Sequence, residues 1–330
     1  TLTARMDYLS PMSNNAVFSM AVEKLAGIDV PVRAQTIRVI CLELQRISSH
    51  LVWLGTHALD MGAMSVFLYA FREREKILDL FEMLSGQRLM GSYIRPGGVW
   101  RDLPAEFLPA LQVFIDDFPR RVKDYESLLT KNPIWIDRTQ GIGVVEPDEA
   151  LAYGMTGPTL RASGVNWDIR KAMPYSGYEQ FDFDVPLGEH GDVFDRFYVR
   201  ILEFHESVRI IQQAMKNIPG GAFRSENRKF VPPPRAELGR SMEAVIHHFK
   251  LWTEGYNVPD GEVYVAIESP RGEIGCYLHG TGGNKPRRVH FKTPSLMHIS
   301  SLGKVSQGHM IADVVAIIGS IDIVLGDSDR

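Results

Sequence analysis

The chain has 330 residues, 45% of them hydrophobic, and a formal net charge of −4, enough to bury a large core as one or two domains. Its basic residues are scattered rather than gathered into a stripe, which argues against a nucleic-acid groove. Two cysteines, Cys41 and Cys276, stand far apart without C-x-x-C spacing; this fits a reducing compartment and excludes a self-contained four-thiolate metal or iron–sulfur site.

The first residue is Thr1, and neither a basic n-region nor an apolar h-region follows it, so a preceding segment of a longer product is expected. Ser13 to Ala26 carries Val17, Met20, Ala21 and Leu25 at helical spacing, with Gly27 as the stop. In front of it, Asp7 and Tyr8 have two readings: a helix cap with a core tyrosine, or a site formed with the far C-terminus, residues 319–330. Pro31 opens a long core helix to about Leu59, marked by Ile37, Ile40, Leu44, Ile47, Leu51 and Leu54.

The stretch Thr56 to Met64 breaks that pattern. Asp60 sits at a Gly-permitted break between two apolar helices, where an acid is partly buried and therefore paired or shifted in pKa; it serves equally well as the N-cap of the second helix. His57 reads as a structural histidine. Phe67 to Ser85 resumes as helix, and its charged string from Arg72 to Lys76 reads as a solvated or partner-facing face.

Arg88 to Val99 is a loop whose Pro-Gly-Gly turn places Arg95 where backbone approaches closely. Asp102 to Leu129 is predicted as helix, and the glycine loop at 137–143 lacks the residue order of a phosphate loop, so nucleotide binding is not supported. A short helix is expected over Glu146 to Tyr153. Residues 157–188 form an extended segment packed over the core, with Phe181, Asp182, Phe183 and Asp184 alternating as in an edge strand. Helices follow at Val193 to Ile218 and at Ala236 to Thr253, where the adjacent His247 and His248 diverge and cannot make the pair a metal uses. Three short strands over 262–268, 274–279 and 287–292 define a small strand region, 262–292. Ser295 to Leu325 reads as helical. Within it Met310 to Leu325, interrupted by Asp313 and Asp322, is too short to span a membrane and reads as a buried core element. The fold class is α+β, mainly α-helical, with a small antiparallel sheet.

Several strings then carry a resemblance: Arg-Met-Asp-Tyr-Leu-Ser at 5–10, Ala-Val-Glu-Lys-Leu at 21–25, Thr-His-Ala-Leu-Asp-Met-Gly-Ala-Met at 56–64, and Arg-Pro-Gly-Gly-Val at 95–99. Ile-His-His-Phe-Lys-Leu-Trp-Thr-Glu-Gly-Tyr at 246–256, Lys-Val-Ser-Gln-Gly-His-Met-Ile-Ala-Asp-Val-Val-Ala-Ile-Ile-Gly at 304–319, and the closing Asp-Arg continue it. Over essentially all 330 residues the chain resembles the D-subunit family of NADH:quinone oxidoreductase, respiratory complex I, itself similar to the large subunits of nickel–iron hydrogenases.

The resemblance implies one hydrogenase-large-subunit-like domain over 1–330, with an N-terminal β-hairpin lying outside this sequence. Laid on the hydrogenase patterns R-x-C-G-x-C and D-P-C-x-x-C, the four thiolate positions fall on Asp7, Ser10, Val324 and Asp327, none of them a soft nickel ligand. The implied cavity admits a quinone headgroup instead, and this chain holds no metal. Tyr8 matches the tyrosine that hydrogen-bonds one quinone carbonyl, and Asp60 the aspartate that pairs with a hairpin histidine bonding the other. Arg5 matches an arginine near the last iron–sulfur cluster, which a neighbouring B-type subunit holds. Thr56 lies one helical turn before Asp60 on the same face, and Arg95 joins these as a candidate contact. Two-electron, two-proton reduction of quinone, coupled to proton translocation, is the implied activity, absent from the isolated chain. The implied partners are the B-type, C-type and membrane H-type subunits, with NAD met only indirectly. The implied location is peripheral, on the cytoplasmic side of the cell membrane or, in a eukaryote, on the matrix side of the inner mitochondrial membrane. Met90 departs from the family, many of whose members have a histidine there; a thioether cannot titrate. A redox subunit of a ferredoxin- or hydrogen-linked membrane complex, or a structural scaffold, are the alternative functions.

Overall fold

Pro11 at the first position and Gly27, at φ +62°, bound helix α1 (Pro11–Ala26), as expected where proline fits the free N-terminal turn and glycine the left-handed stop. The computed structural model describes residues 2–329; Arg330, the last residue of the closing Asp-Arg pair, lies outside them. Helix α2 (Val32–Asp60) has 29 residues, about 43 Å of length, and is buried over most of it. Helix α3 (Met64–Ser85) doubles back against it and ends at Gly86, φ +75°. A small antiparallel hairpin, β1 (Ile94–Arg95) with β2 (Gly98–Val99), precedes α4 (Phe107–Leu129).

Four short helices follow: α5 (Pro133–Thr139), α6 (Pro147–Ala152), α7 (Pro158–Ala162) and α8 (Ile169–Ala172). Long α9 (Val193–Lys216) starts where Asp192 accepts a hydrogen bond from the Asp195 amide. After α10 (Arg235–Leu238) and α11 (Met242–Thr253), strands β3 (Gly261–Ser269), β4 (Gly272–Gly280) and β5 (Arg288–Lys292) pair antiparallel in sequence order. The chain closes with α12 (Pro294–Ser300), α13 (Leu302–Val305), α14 (Ile311–Ile321) and α15 (Leu325–Asp329).

Helix α2 is the axis of the core: α3, α9 and α14 pack along it, while α1 lies against β3 and β4. Apolar stripes of α2, α3, α4 and α9 meet in one large cluster, the arrangement their sequence spacing requires. No helix among the described residues is long and apolar enough to cross a membrane.

Four expectations are corrected. The helix expected over Ala236 to Thr253 is two, because the Ser241 hydroxyl accepts from the Ala244 amide and restarts the helix there. Phe181 to Asp184 is not a strand. Its phenyl rings are buried while Gln213 of α9 holds the backbone of Asp182 and Arg209 the carboxylates of Asp182 and Asp184, so side chains satisfy what a sheet neighbour otherwise supplies. Met310 to Leu325 is only half a core element: Ala316, Ile317 and Ile321 face inward, but Ile311 is 90% exposed and Met310, Val315 and Leu325 are exposed too. The Arg72–Lys76 string is not wholly solvated, since Glu73 is buried and paired with Arg72 and Lys76.

Candidate functional site

Both ends of the chain meet on one buried arginine. The Nη1 of Arg271, in the β3–β4 turn, lies 2.6 Å from Asp7 Oδ2 and donates to Ser49 Oγ of α2 at 3.2 Å. Its Nε donates to the Asp322 carbonyl at 3.0 Å, and its Nη2 lies 3.3 Å from Asp322 Oδ1. Asp322 can sit there because it adopts the left-handed conformation, φ +49°, that ends α14. Burial works against the Arg271 charge, yet Asp322 and Asp7 hold its pKa above the ordinary value. Burial, aided by the charge on Asp7, pushes the neighbouring Asp327 carboxyl up to about 6 while Ser295 donates to it. Burial likewise raises Asp322, against the pull of Arg271.

This clamp fixes the loop that carries Tyr8. The Leu9 amide bonds Asp7 Oδ1, Asn14 bonds the Asp7 carbonyl, and Gln45 of α2 bonds the Leu9 carbonyl. Tyr8 itself is 41% exposed, and its hydroxyl makes no hydrogen bond among the described residues. Its ring abuts the C-terminal segment so closely that a methyl on Gly326 would come within 3.1 Å of Tyr8 Cε1.

Asp60 is the last residue of α2 and is exposed, so the expected partial burial does not occur. Nor is it a cap, for Ala63 holds that position in front of α3. Thr56, one turn earlier, is also exposed, with its hydroxyl donating to Val52 and Trp53 carbonyls. His57 points the other way, into the core between the rings of Trp53 and Trp135, and burial pushes it down to about 3, with Arg200 adding to the effect. From Ser49, which touches the Tyr8 clamp, the rise of α2 is about 10 Å to Thr56 and about 16 Å to Asp60. No direct hydrogen bond links Tyr8 with Asp60.

Arg5 lies exposed in the short helical turn Thr3–Arg5. Arg95 sits on β1, donates to the Ser92 carbonyl and stacks 5.3 Å from the Trp100 ring, on a hairpin outside the Arg271 clamp. Met90, at φ +57°, occupies a strained turn conformation. The four positions that the resemblance sets against thiolates divide between the two joined ends, and Ser10, Asp7, Val324 and Asp327 are all buried. Among the described residues no group of three or more His, Cys, Asp or Glu is arranged to hold a metal. Burial pushes the Cys41 and Cys276 thiols up to about 12, so neither is a thiolate at neutral pH.

Sequence reasoning missed a second buried cluster. Glu43 of α2 accepts from Tyr178 at 2.6 Å and Ser207 at 2.7 Å and pairs with Arg170 and Arg46. Arg161 bridges Glu203 and Glu268, and His50 lies 2.7 Å from Glu203. Burial alone would raise Glu203, but Arg161 and His50 hold its carboxyl well below the usual range. The available signal was Glu43, Arg46 and His50 at i, i+3 and i+7 along one face of the long core helix.

A mainly helical chain whose two ends close around a buried Arg–Asp clamp and present one phenol outward falls, by comparison, among the respiratory-chain NADH dehydrogenase subunits. Residues 60–330 match the family described as respiratory-chain NADH dehydrogenase, 49 Kd subunit. The whole chain is 56% identical to the D 2 subunit of the NADH-quinone oxidoreductase of Chloroflexus aurantiacus, covering 81% of that protein. It is 57% identical to the D 1 subunit of the same enzyme from Herpetosiphon aurantiacus, covering 79%, and 54% identical to the D subunit from Thermus thermophilus, covering 81%, again over the whole chain. The chain belongs to the D-subunit family of NADH-quinone oxidoreductase and is a component of that complex.

Proposed function

We propose that this chain forms the quinone side of the complex, as one hydrogenase-large-subunit-like domain with Tyr8 donating to one carbonyl of the headgroup. The observation that carries this reading is an outward phenol, without a hydrogen bond among the described residues, on a loop that the Asp7–Arg271 pair ties down. A preorganised donor of this kind strengthens its bond as charge develops on the oxygen it faces. Asp60 acts at one remove. It stands about 16 Å along α2 from Ser49, which leaves room for an interposed imidazole from a segment outside residues 1–330; the exposed carboxylate raises that imidazole's proton affinity.

In the reaction the quinone takes two electrons, and an O–H bond forms at each carbonyl oxygen, one proton passing through Tyr8 and one through the imidazole backed by Asp60. An iron–sulfur cluster held by the B-type subunit near Arg5 would supply the electrons, and Thr56 and Arg95 would border the approach. NADH is oxidised elsewhere in the complex, and proton translocation is coupled to this step through the membrane H-type subunit. The chain then sits peripherally at the membrane surface beside B-type and C-type neighbours, in keeping with helices too short or too polar to span it. The relatives are subunits of NADH-quinone oxidoreductases, which favours this reading over a hydrogen- or ferredoxin-linked complex or a scaffold.

Kinetics of the assembled complex test it. Tyr8→Phe should weaken headgroup binding by about 0.5–1.5 kcal/mol, and Asp60→Asn should lower quinone turnover, while both retain NADH oxidation by an artificial acceptor. Wild-type quinone reduction in both variants would return Tyr8 and Asp60 to purely structural roles.

A further inference from the structure

Outside the Tyr8 region, residues 223–225 run antiparallel along the β1–β2 hairpin. The Val99 amide donates to the Phe223 carbonyl at 3.1 Å, and the Ser225 amide to the Gly97 carbonyl at 2.7 Å. Gly98, at φ +143°, is what permits this approach, because a Cβ there would stand 2.5 Å from the Phe223 oxygen. The chain then passes through Pro232, Pro233 and Pro234 into α10 and α11. Hairpin, proline run and helices together wall a cleft of about 560 Å³.

Arg95, Arg224, Arg235 and His248 line this cleft, and no Asp or Glu does. Among the described residues neither Arg224 nor Arg235 donates a hydrogen bond or forms a salt bridge, whereas the adjacent Arg228 is matched by Glu237 at 3.0 Å. Burial pushes the pKa of Arg224 down, with Arg228 adding to it, and burial lowers Arg95 as well. Glu237 offsets part of this at Arg224 but is already engaged by Arg228, and an anion entering the cleft relieves the repulsion that remains among its arginines. The floor is apolar, built from Val99, Phe230, Val231, Leu238 and Tyr256.

The cleft also runs into a second feature. Met242, Val245, Ile246, Phe249 and Trp252 form a single outward stripe along α11, with Phe249 63% and Trp252 71% exposed, and Trp252 belongs to the stripe and the cleft alike. A small anion would fill the cleft and leave this stripe in water. A polypeptide covers both, and Arg, Trp, Phe and Met are the residues enriched at the centre of protein interfaces.

We propose that the cleft and the α11 stripe together dock an acidic segment of another subunit of the complex, whose carboxylates engage Arg224 and Arg235 and whose flanking apolar side chains cover Phe249 and Trp252. Paired N–H donors on each guanidinium suit a carboxylate bidentately. The inference rests on membership of the complex and, apart from Arg95, which the reading above sets beside the quinone approach, is independent of the quinone assignment.

The test uses the intact complex. Phenylglyoxal labelling, read residue by residue by mass spectrometry, should be at least tenfold slower at Arg224 and Arg235 than at Arg120, a surface arginine whose side chain is 70% exposed. Equal labelling overturns the proposal. So does protection that disappears on delipidation with every subunit retained, since the occupant is then a lipid. In a second arm, the double variant Arg224→Glu with Arg235→Glu should shed a subunit at lower salt than wild type, and the double lysine variant should recover most of the difference. An unchanged dissociation midpoint in the glutamate variant also overturns it, and the labelling arm decides even if that variant fails to assemble.

Discussion

Arg271 and Asp7, 264 positions apart in sequence, meet at 2.6 Å in the interior, and the same guanidinium holds Asp322 at 3.3 Å. One cation thus ties the loop bearing Tyr8 to the residue that ends α14. Arg271→Met keeps much of the volume but leaves Asp7, Asp322 and Asp327 buried without it. Breaking a buried pair in this way costs about 3–5 kcal/mol, so a loss of that size in urea unfolding is expected. Arg271→Lys should recover only part, because an ammonium cannot span both carboxylates as the planar fork does. A loss below about 1 kcal/mol in the methionine variant would show that the acids take up protons or other partners instead.

Asp327 gives the same cluster a pH signature. Its folded pKa of about 6 lies above the ordinary 3.8, so the fold favours the protonated carboxyl. That contribution is fully present below about pH 3.8 and is lost as pH rises through 6, amounting to about 3 kcal/mol by neutrality for a shift of roughly two units. Asp327→Asn cannot ionise, and its amide oxygen can still accept from Ser295. Unfolding free energies of the two proteins should therefore coincide near pH 4 and diverge up to pH 7, with the asparagine variant more stable. Parallel curves across that range would remove Asp327 as the titrating group.

Much of this architecture is legible from local pattern. The periodic stripe of α2, the stop at Gly27 and the three short strands over 262–292 are signals carried within a few residues, and the structure has them nearly where spacing puts them. What spacing cannot carry is pairing at long range. Arg161 meets Glu268 across 107 positions and Glu203 across 42, and nothing near Arg161 marks it as a core residue rather than a surface one. The expected burial of Asp60 failed for a related reason: whether a helix end is covered depends on what packs over it, and among the described residues nothing does. For Tyr8 the local pattern leaves a core residue and a site residue as alternatives, and only the family resemblance favours the site; the contact that fixes its loop runs through Arg271, which no local motif marks.

Gly326 offers the sharpest separation of site from scaffold. A Cβ there would lie 2.6 Å from the Met6 carbonyl oxygen and 3.1–3.2 Å from Tyr8 Cε1 and Cδ1. The carbonyl is backbone and cannot swing aside, so Gly326→Ala must displace the loop, at a cost of about 1–3 kcal/mol for overpacking. None of the clamp's hydrogen-bonding side chains is changed, and the chain should still fold and join the complex. Displacement falls on the Tyr8 ring. If Tyr8 positions the quinone headgroup, the KM for quinone should rise, and Gly326→Val, with a larger side chain at the same contact, should raise it further. NADH oxidation by an acceptor that bypasses quinone should stay at the wild-type rate in both. Unchanged quinone kinetics in an assembled Gly326→Val complex would mean that the Tyr8 loop can shift without consequence, and the phenol would lose its place in the proposed reaction.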